Sequence, residues 1–156
     1  MRVRLIAVGT RPPAWVREAC DDYITRLGSR LPVSVTEIAA GPRSGAEAPA
    51  RAIAREGERV LGALRREDYV VALDERGTEL TTRELAAWLK TRMQEGEDVA
   101  FVIGGPDGLA PEVLARSKLR WSLSRLTLPH ALVRVLLAEQ LYRAHSLLAG
   151  HPYHRD

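Results

Sequence analysis

Val99-Ala-Phe-Val-Ile-Gly-Gly-Pro-Asp-Gly108 is five apolar residues running straight into a glycine-rich turn. Five residues are too few for a helix, and no polar residue alternates with the apolar ones. Such a run reads as a strand buried on both faces, the habit of parallel sheets covered by helices on each side. Working outward, Val3-Arg-Leu-Ile-Ala-Val8 and Tyr69-Val-Val-Ala-Leu-Asp74 read the same way; the first ends at Gly9-Thr10 and the second carries Asp74 at its carboxyl end. Val33–Ile38 is a further strand. Helical patterns lie between the strands. Pro12-Pro13 opens one whose Trp15, Ala19, Tyr23 and Leu27 recur at helical spacing. Ala50–Arg65 is a second. Thr81 with Glu84 forms a capping box for a third that runs to about Met93. A helical turn starts near Pro111, Leu119–Leu128 is mostly extended, and a long helix runs from Pro129 to Gly150. Residues 40–49, rich in Gly, Ala, Pro and Ser with Arg43 among them, are a loop. This alternation predicts one α/β domain with a mainly parallel sheet and helices on both faces.

Composition sets outer bounds. The 156 residues suit one domain with a proper core, and 46% hydrophobic with 28% charged residues are ordinary globular values. A net charge of +3 tolerates an anionic partner without demanding one. The single Cys20 can neither pair within the chain nor anchor a metal alone; it fits a reducing cytosol and a packing role in the first helix. Arg2 and Arg4 precede an apolar run, Leu5–Val8, too short for a signal core, so a cytoplasmic protein with no membrane segment is expected.

Ligands of open parallel sheets gather at the carboxyl ends of the strands. Two ends stand out, Leu73-Asp74 and Gly104–Gly108. The glycines let a backbone pass close to a flat ligand, or simply make a tight turn. They match neither the P-loop nor the dinucleotide fingerprint. Leu123-Ser-Arg-Leu-Thr-Leu128 could offer backbone groups to an adenine edge; the local sequence by itself favours an edge strand feeding a helix, with Thr127 assisting the cap.

The last helix carries Leu132, Val133, Val135, Leu136, Leu137, Leu141 and Leu147 on more than one side. An outer helix of a small domain should keep a wet face. Burial in a two-fold homodimer resolves the conflict. The closing His151-Pro-Tyr-His-Arg-Asp156 is unusually rich in reactive side chains for a chain end. His151 and His154 have H-x-x-H spacing, but a zinc site needs further ligands, and no metal is expected. His130, in the first turn of the helix, is by default exposed or capping, with a substrate contact second.

Ile103–Leu109, Leu123–His130, Val133–Arg143 and His151–Arg155 together resemble the ribosomal RNA large subunit methyltransferase H family, of the SPOUT superfamily, over essentially the whole chain. The resemblance implies a C-terminal trefoil knot, a homodimer, and S-adenosylmethionine as methyl donor. It implies methylation at N3 of a pseudouridine (position 1915) in 23S rRNA within the assembled ribosome, with no DNA partner. Carried over by motif, the donor contacts Leu73, Gly104 and Leu123, Ser124, Arg125, Leu126, Thr127 and Leu128. The chemistry then assigns roles to the tail. His154 is the first choice for general base, because an imidazole titrates near working pH. Tyr153 stacks on the base or hydrogen-bonds a carbonyl. Arg155 grips a phosphate or steadies the developing anion. His130 and Arg134 are second-rank substrate contacts. His145 stands where an aromatic is expected in relatives. Two other readings compete: a non-enzymatic RNA- or ribosome-binding module, and a metal-dependent hydrolase using the tail histidines.

Overall fold

The computed structural model describes residues 1–43 and 49–154, the last without its side chain. Residues 44–48 of the predicted loop, and Arg155 and Asp156 of the tail, lie outside the described residues. The elements follow in the order β1 Val3–Val8, α1 Ala14–Leu27, β2 Val33–Ile38, α2 Pro49–Ala63, β3 Tyr69–Glu79, α3 Thr82–Glu95, β4 Val99–Ile103, α4 Pro111–Arg116, β5 Leu119–Ser122 and α5 His130–Ala149, then a closing 3-10 turn at Pro152–His154. The five strands form one sheet in the order β2-β1-β4-β3-β5, and each strand pair is parallel.

The fully apolar strands sit in the middle, as their sequences require: every residue of β4 is buried. Alternate residues face opposite sides. Leu5, Phe101 and Val71 pack on one face with Leu27 of α1, Leu89 of α3 and Leu137 of α5. Ile6, Val102 and Val70 pack on the other with Val60 of α2 and Val113 of α4. Helices thus cover both faces, as predicted. The capping box at α3 is present: Thr81 Oγ1 accepts from the Glu84 amide at 3.1 Å, and the Glu84 carboxylate accepts from the Thr81 amide at 2.7 Å. Thr81→Ala should cost about 1 kcal/mol, read in thermal melts as a Tm lower by roughly 2–4 °C.

Several expectations need correction. The buried stripe of α1 is Val16, Cys20 and Leu27, whereas Trp15 is 55% exposed. One residue turns the helix by about 100°, so the face that meets the sheet carries Val16 and swings Trp15 outward. Strand β3 does not stop at Asp74. It pairs with β5 through Leu73↔Trp121, departs over residues 74–77, and returns through Thr78↔Trp121 and Glu79↔Ser122. Gly77 makes the return possible, because a Cβ there would lie 2.5 Å from the Arg120 carbonyl oxygen. Beyond Ser122 the chain is irregular rather than extended, up to α5.

Helix α5 runs from the Pro129 N-cap to Gly150, which takes the left-handed C-cap conformation with φ 70°. No side chain caps its first turn, so Thr127 does not assist there. Within one chain α5 packs on α1, α3 and β4. Two neighbouring helices and the sheet therefore account for much of its apolar circumference without a second subunit. Leu132, Val135 and Leu136 form the remaining stripe; they are half-buried and belong to neither core cluster.

Candidate active site

The carboxyl ends of β3, β4 and β5 open into a cleft of about 640 Å³. Its walls are three irregular segments, each following or interrupting a strand. Leu73 to Arg76 lead from the ladder into the excursion of β3, closed locally by the Arg76 amide donating to Asp74 Oδ1 at 3.0 Å. Ile103 to Leu109 is the glycine turn after β4, closed by the Gly108 amide donating to the Gly105 carbonyl at 3.2 Å. The third wall is the segment after β5, held by Ser122 Oγ donating to the Ser124 carbonyl and by the Leu126 amide donating to Ser124 Oγ, both at 2.9 Å. Backbone outside helix and ladder keeps donors and acceptors available to a ligand. His130 and Val133 close the cleft from the first turns of α5.

Of the predicted donor contacts, Leu73, Gly104, Leu123, Ser124, Leu126, Thr127 and Leu128 all line this one cleft, though they come from three separate stretches of sequence. Arg125 does not: the Ser124–Leu126 turn leaves it exposed at the tip. His130 joins the cleft; Arg134 stands apart from it. Arg134 is 5% exposed, donating to Glu37 Oε2 at 3.0 Å and to the Gly9 carbonyl at 2.6 Å, and it faces a smaller hollow beside Cys20 and Val16. Burial raises the Cys20 thiol above its ordinary range, which suits the packing role. The residues that sequence reasoning missed are Glu75, Arg76 and Arg120 at the rim, and the Arg43–Glu56 pair behind the glycine turn.

Through Tyr153 the tail folds back along its own α5. The ring of Tyr153 lies 4.5 Å from that of Tyr142 and under the Arg143 guanidinium at 4.9 Å, and its hydroxyl donates to Glu139 Oε1 at 3.2 Å. Burial, with Tyr23 and Glu139 alongside, pushes the phenol well above its ordinary range, so it stays protonated at neutral pH. Glu139 and Tyr142 are nine and twelve residues beyond His130, or about 13–18 Å along the axis. Among the described residues, the tail and the cleft of one chain therefore do not meet. Arg155 lies outside the described residues. Among the described residues, no group of three His, Cys, Asp or Glu side chains could hold a metal ion, and no helix is long and apolar enough to cross a membrane.

His145 packs nearby, and burial, with Arg30 adding in the same direction, lowers its pKa. The folded chain then holds the neutral imidazole, while the unfolded chain takes up a proton below about pH 6.5. Stability tied to this residue is intact above that pH and is lost as pH falls below it. His145→Phe should therefore narrow the Tm gap between pH 7.5 and pH 5.5 in paired melts; an unchanged gap would refute the assignment.

The chain and its fold have counterparts among known proteins. Residues 1–154 match the family model described as "Predicted SPOUT methyltransferase". Curated proteins called "Ribosomal RNA large subunit methyltransferase H" are similar throughout. That of Chromohalobacter salexigens is 53% identical over 99% of this chain and 100% of its own length. That of Alkalilimnicola ehrlichii is 54% identical over 99% of each. Among solved structures, TrmJ from Z. mobilis shares the fold, with TM-score 0.51 and 17% identity over 92% of this chain and 70% of that one. A Bordetella pertussis protein titled a probable methyltransferase aligns with TM-score 0.53 and 19% identity over 92% of this chain and 95% of that one. From its first strand to its tail, this chain belongs to the SPOUT methyltransferases and, within them, to the ribosomal RNA large subunit methyltransferase H family.

Proposed function

We propose that this protein methylates ribosomal RNA of the large subunit, taking the methyl group from S-adenosylmethionine, and that its target is N3 of a pseudouridine in 23S rRNA within the assembled ribosome. One observation carries the reading: residues 73, 104, 123, 124 and 126–128, drawn from three separate stretches of sequence and matched by motif to a methyl-donor site, converge on one cleft at the carboxyl ends of three parallel strands. The fit is chemical as well. Irregular backbone after β5 suits an adenine edge, Asp74 and Glu75 suit the donor's cationic groups, and Arg76 and Arg120 suit its carboxylate. When bound, S-adenosylmethionine supplies an electrophilic methyl on a sulfonium, and no metal is needed.

The chain's own residues must then hold the uracil-type ring in reach and remove its imide proton. Tyr153, kept protonated, orients the base by stacking or by donating a hydrogen bond. His154 accepts the proton, and Arg155 engages phosphate or the developing anion. His130, at the cleft, is a substrate contact. The tail's distance from the cleft of its own chain supports a homodimer in which one subunit's tail serves the other's cleft. The half-buried Leu132, Val135 and Leu136 stripe and the exposed Trp15 suit the same arrangement. The trefoil knot at the C-terminal part of the fold belongs to this proposal, as does a cytoplasmic location.

Calorimetry with S-adenosylmethionine tests the first half. Heat with a one-to-one or one-per-dimer endpoint is expected, and no heat would favour a non-enzymatic binding module. Methylation of ribosomes lacking the modification, followed by mass spectrometry of the RNA, tests the second. A methyl on any base other than a pseudouridine of 23S rRNA would overturn it.

A further inference from the structure

Behind the glycine turn lies an ion-pair cluster that the proposed mechanism does not use. Glu56, in the middle of α2, is 3% exposed. Its carboxylate accepts from the Gly41 amide at 2.8 Å, from Arg43 Nη1 at 2.6 Å and from Arg43 Nη2 at 3.0 Å. Arg43 Nη1 also donates to the Gly41 carbonyl at 3.1 Å, and Nε donates to Asp107 Oδ2 at 2.7 Å. One guanidinium thus joins the segment after β2, the middle of α2 and the turn after β4. Its hydrogen bonds to Glu56 and Asp107 keep it firmly charged.

Burying the Glu56 carboxylate is costly unless its partners are complete, and here they are. The turn packs against Val8 and this pair: a Cβ at Gly105 would meet Val8 Cγ1 at 3.2 Å, and Arg43 Nη2 and Glu56 Oε1 each at 3.5 Å. Among the described residues, the only side-chain hydrogen bond reaching residues 104–108 comes from Arg43. Asp107 itself lines the cleft and is 37% exposed, whereas Arg43 and Glu56 do not line it. We infer that Arg43, anchored by Glu56, is a positioning residue that sets the Gly104–Gly108 wall through Asp107 and so tunes the affinity of the cleft for S-adenosylmethionine. This rests on the reading of the cleft as the methyl-donor site.

The geometry calls for arginine. Its planar fork meets Glu56 with two nitrogens and Asp107 with a third, whereas a lysine ammonium is a single point that holds one carboxylate. Arg43→Lys should keep the charge at Glu56 and release Asp107. Asp107→Asn leaves the buried Arg43–Glu56 pair whole and weakens the same link from the other side. Calorimetry of the full-length protein with S-adenosylmethionine should show each single variant binding about five- to tenfold more weakly. The double variant should bind no more weakly than the weaker single, because the link is broken only once. In turnover assays the loss should fall mainly in KM for the donor rather than in kcat. Hydrogen exchange of ligand-free protein should quicken at the Gly105 and Gly108 amides in both single variants.

An unchanged Kd in the singles overturns the inference while leaving the cleft reading intact. So does additive weakening in the double variant, which would mean that Asp107 acts on the ligand independently of Arg43. If wild-type protein takes up no S-adenosylmethionine, the cleft reading and the inference both fail. Should Arg43→Lys fold poorly, Asp107→Asn with its exchange profile decides alone, since its partly exposed side chain leaves the core untouched.

Discussion

Alanine at His154 should lower methyl transfer to 23S rRNA by about two to four orders of magnitude, the usual worth of a general base, with donor affinity changed less than about twofold. The imide nitrogen of pseudouridine is protonated at neutral pH and becomes nucleophilic only as the proton leaves. Tyr153 is unsuited to take it, because burial beside Glu139 and Tyr23 holds its phenol protonated. An imidazole can accept a proton in the physiological range. The folded-back tail also predicts that the base acts in the other subunit. Gly104→Val should disable the cleft, since even a Cβ there would lie 2.8 Å from the Gly108 carbonyl carbon. Mixing His154→Ala protein with Gly104→Val protein then offers a direct reading. Random pairing makes half the dimers mixed, each with one intact tail facing one intact cleft, so about a quarter of wild-type activity should return. A mixture as inactive as its components would place tail and cleft in the same subunit. Loss of donor binding in His154→Ala equal to the loss of methylation would make the tail structural.

The strands were legible because continuous apolar runs have one cheap explanation, burial on both faces; β1 and β4 begin and end where those runs do. The strand order β2-β1-β4-β3-β5 is set by pairings between distant segments, which leave no local mark. Asp74-Glu-Arg-Gly reads as the end of a strand, and only pairing with β5 on both sides of it makes the segment an excursion. Leu123–Leu128 looked extended from its apolar residues, yet short hydrogen bonds through Ser122 and Ser124 bend it around the cleft. Trp15 marks the limit of spacing arguments: two neighbouring helical stripes were available, and packing against the sheet chose the one through Val16. Glu56 did leave a signal. It shares the i, i+4, i+8 stripe of Ala52 and Val60, both buried, and a carboxylate on an apolar stripe requires a cation. Arg134 left none, because its partners, Glu37 and Gly9, lie near the other end of the chain.

Arg134→Met should therefore register first as lost stability, by about 3 kcal/mol, with Tm lower by roughly 6–12 °C. The side chain is 6% exposed and holds Glu37 and the Gly9 carbonyl at once. Removing it leaves a carbonyl and a partly buried carboxylate short of a donor, and an unmet buried acceptor costs more than the hydrogen bond was worth. Glu37 keeps a second, longer contact to Arg17 at 3.3 Å, which places the loss toward the lower end of the range for broken buried pairs. Adding Glu37→Gln to Arg134→Met should recover part of the Tm, since the stranded charge is then gone. Arg134 also ties the first turns of α5 to the ends of β1 and β2, and those turns carry His130 and Val133 into the cleft wall. Some activity should fall with the tether, but in step with the folded fraction and restored by cooling. A substrate contact behaves in the opposite way: methylation falls at every temperature, Tm stays put, and the Glu37→Gln companion rescues nothing. Melting curves of the single and double variants, run beside methylation assays at two temperatures, separate the brace from the contact.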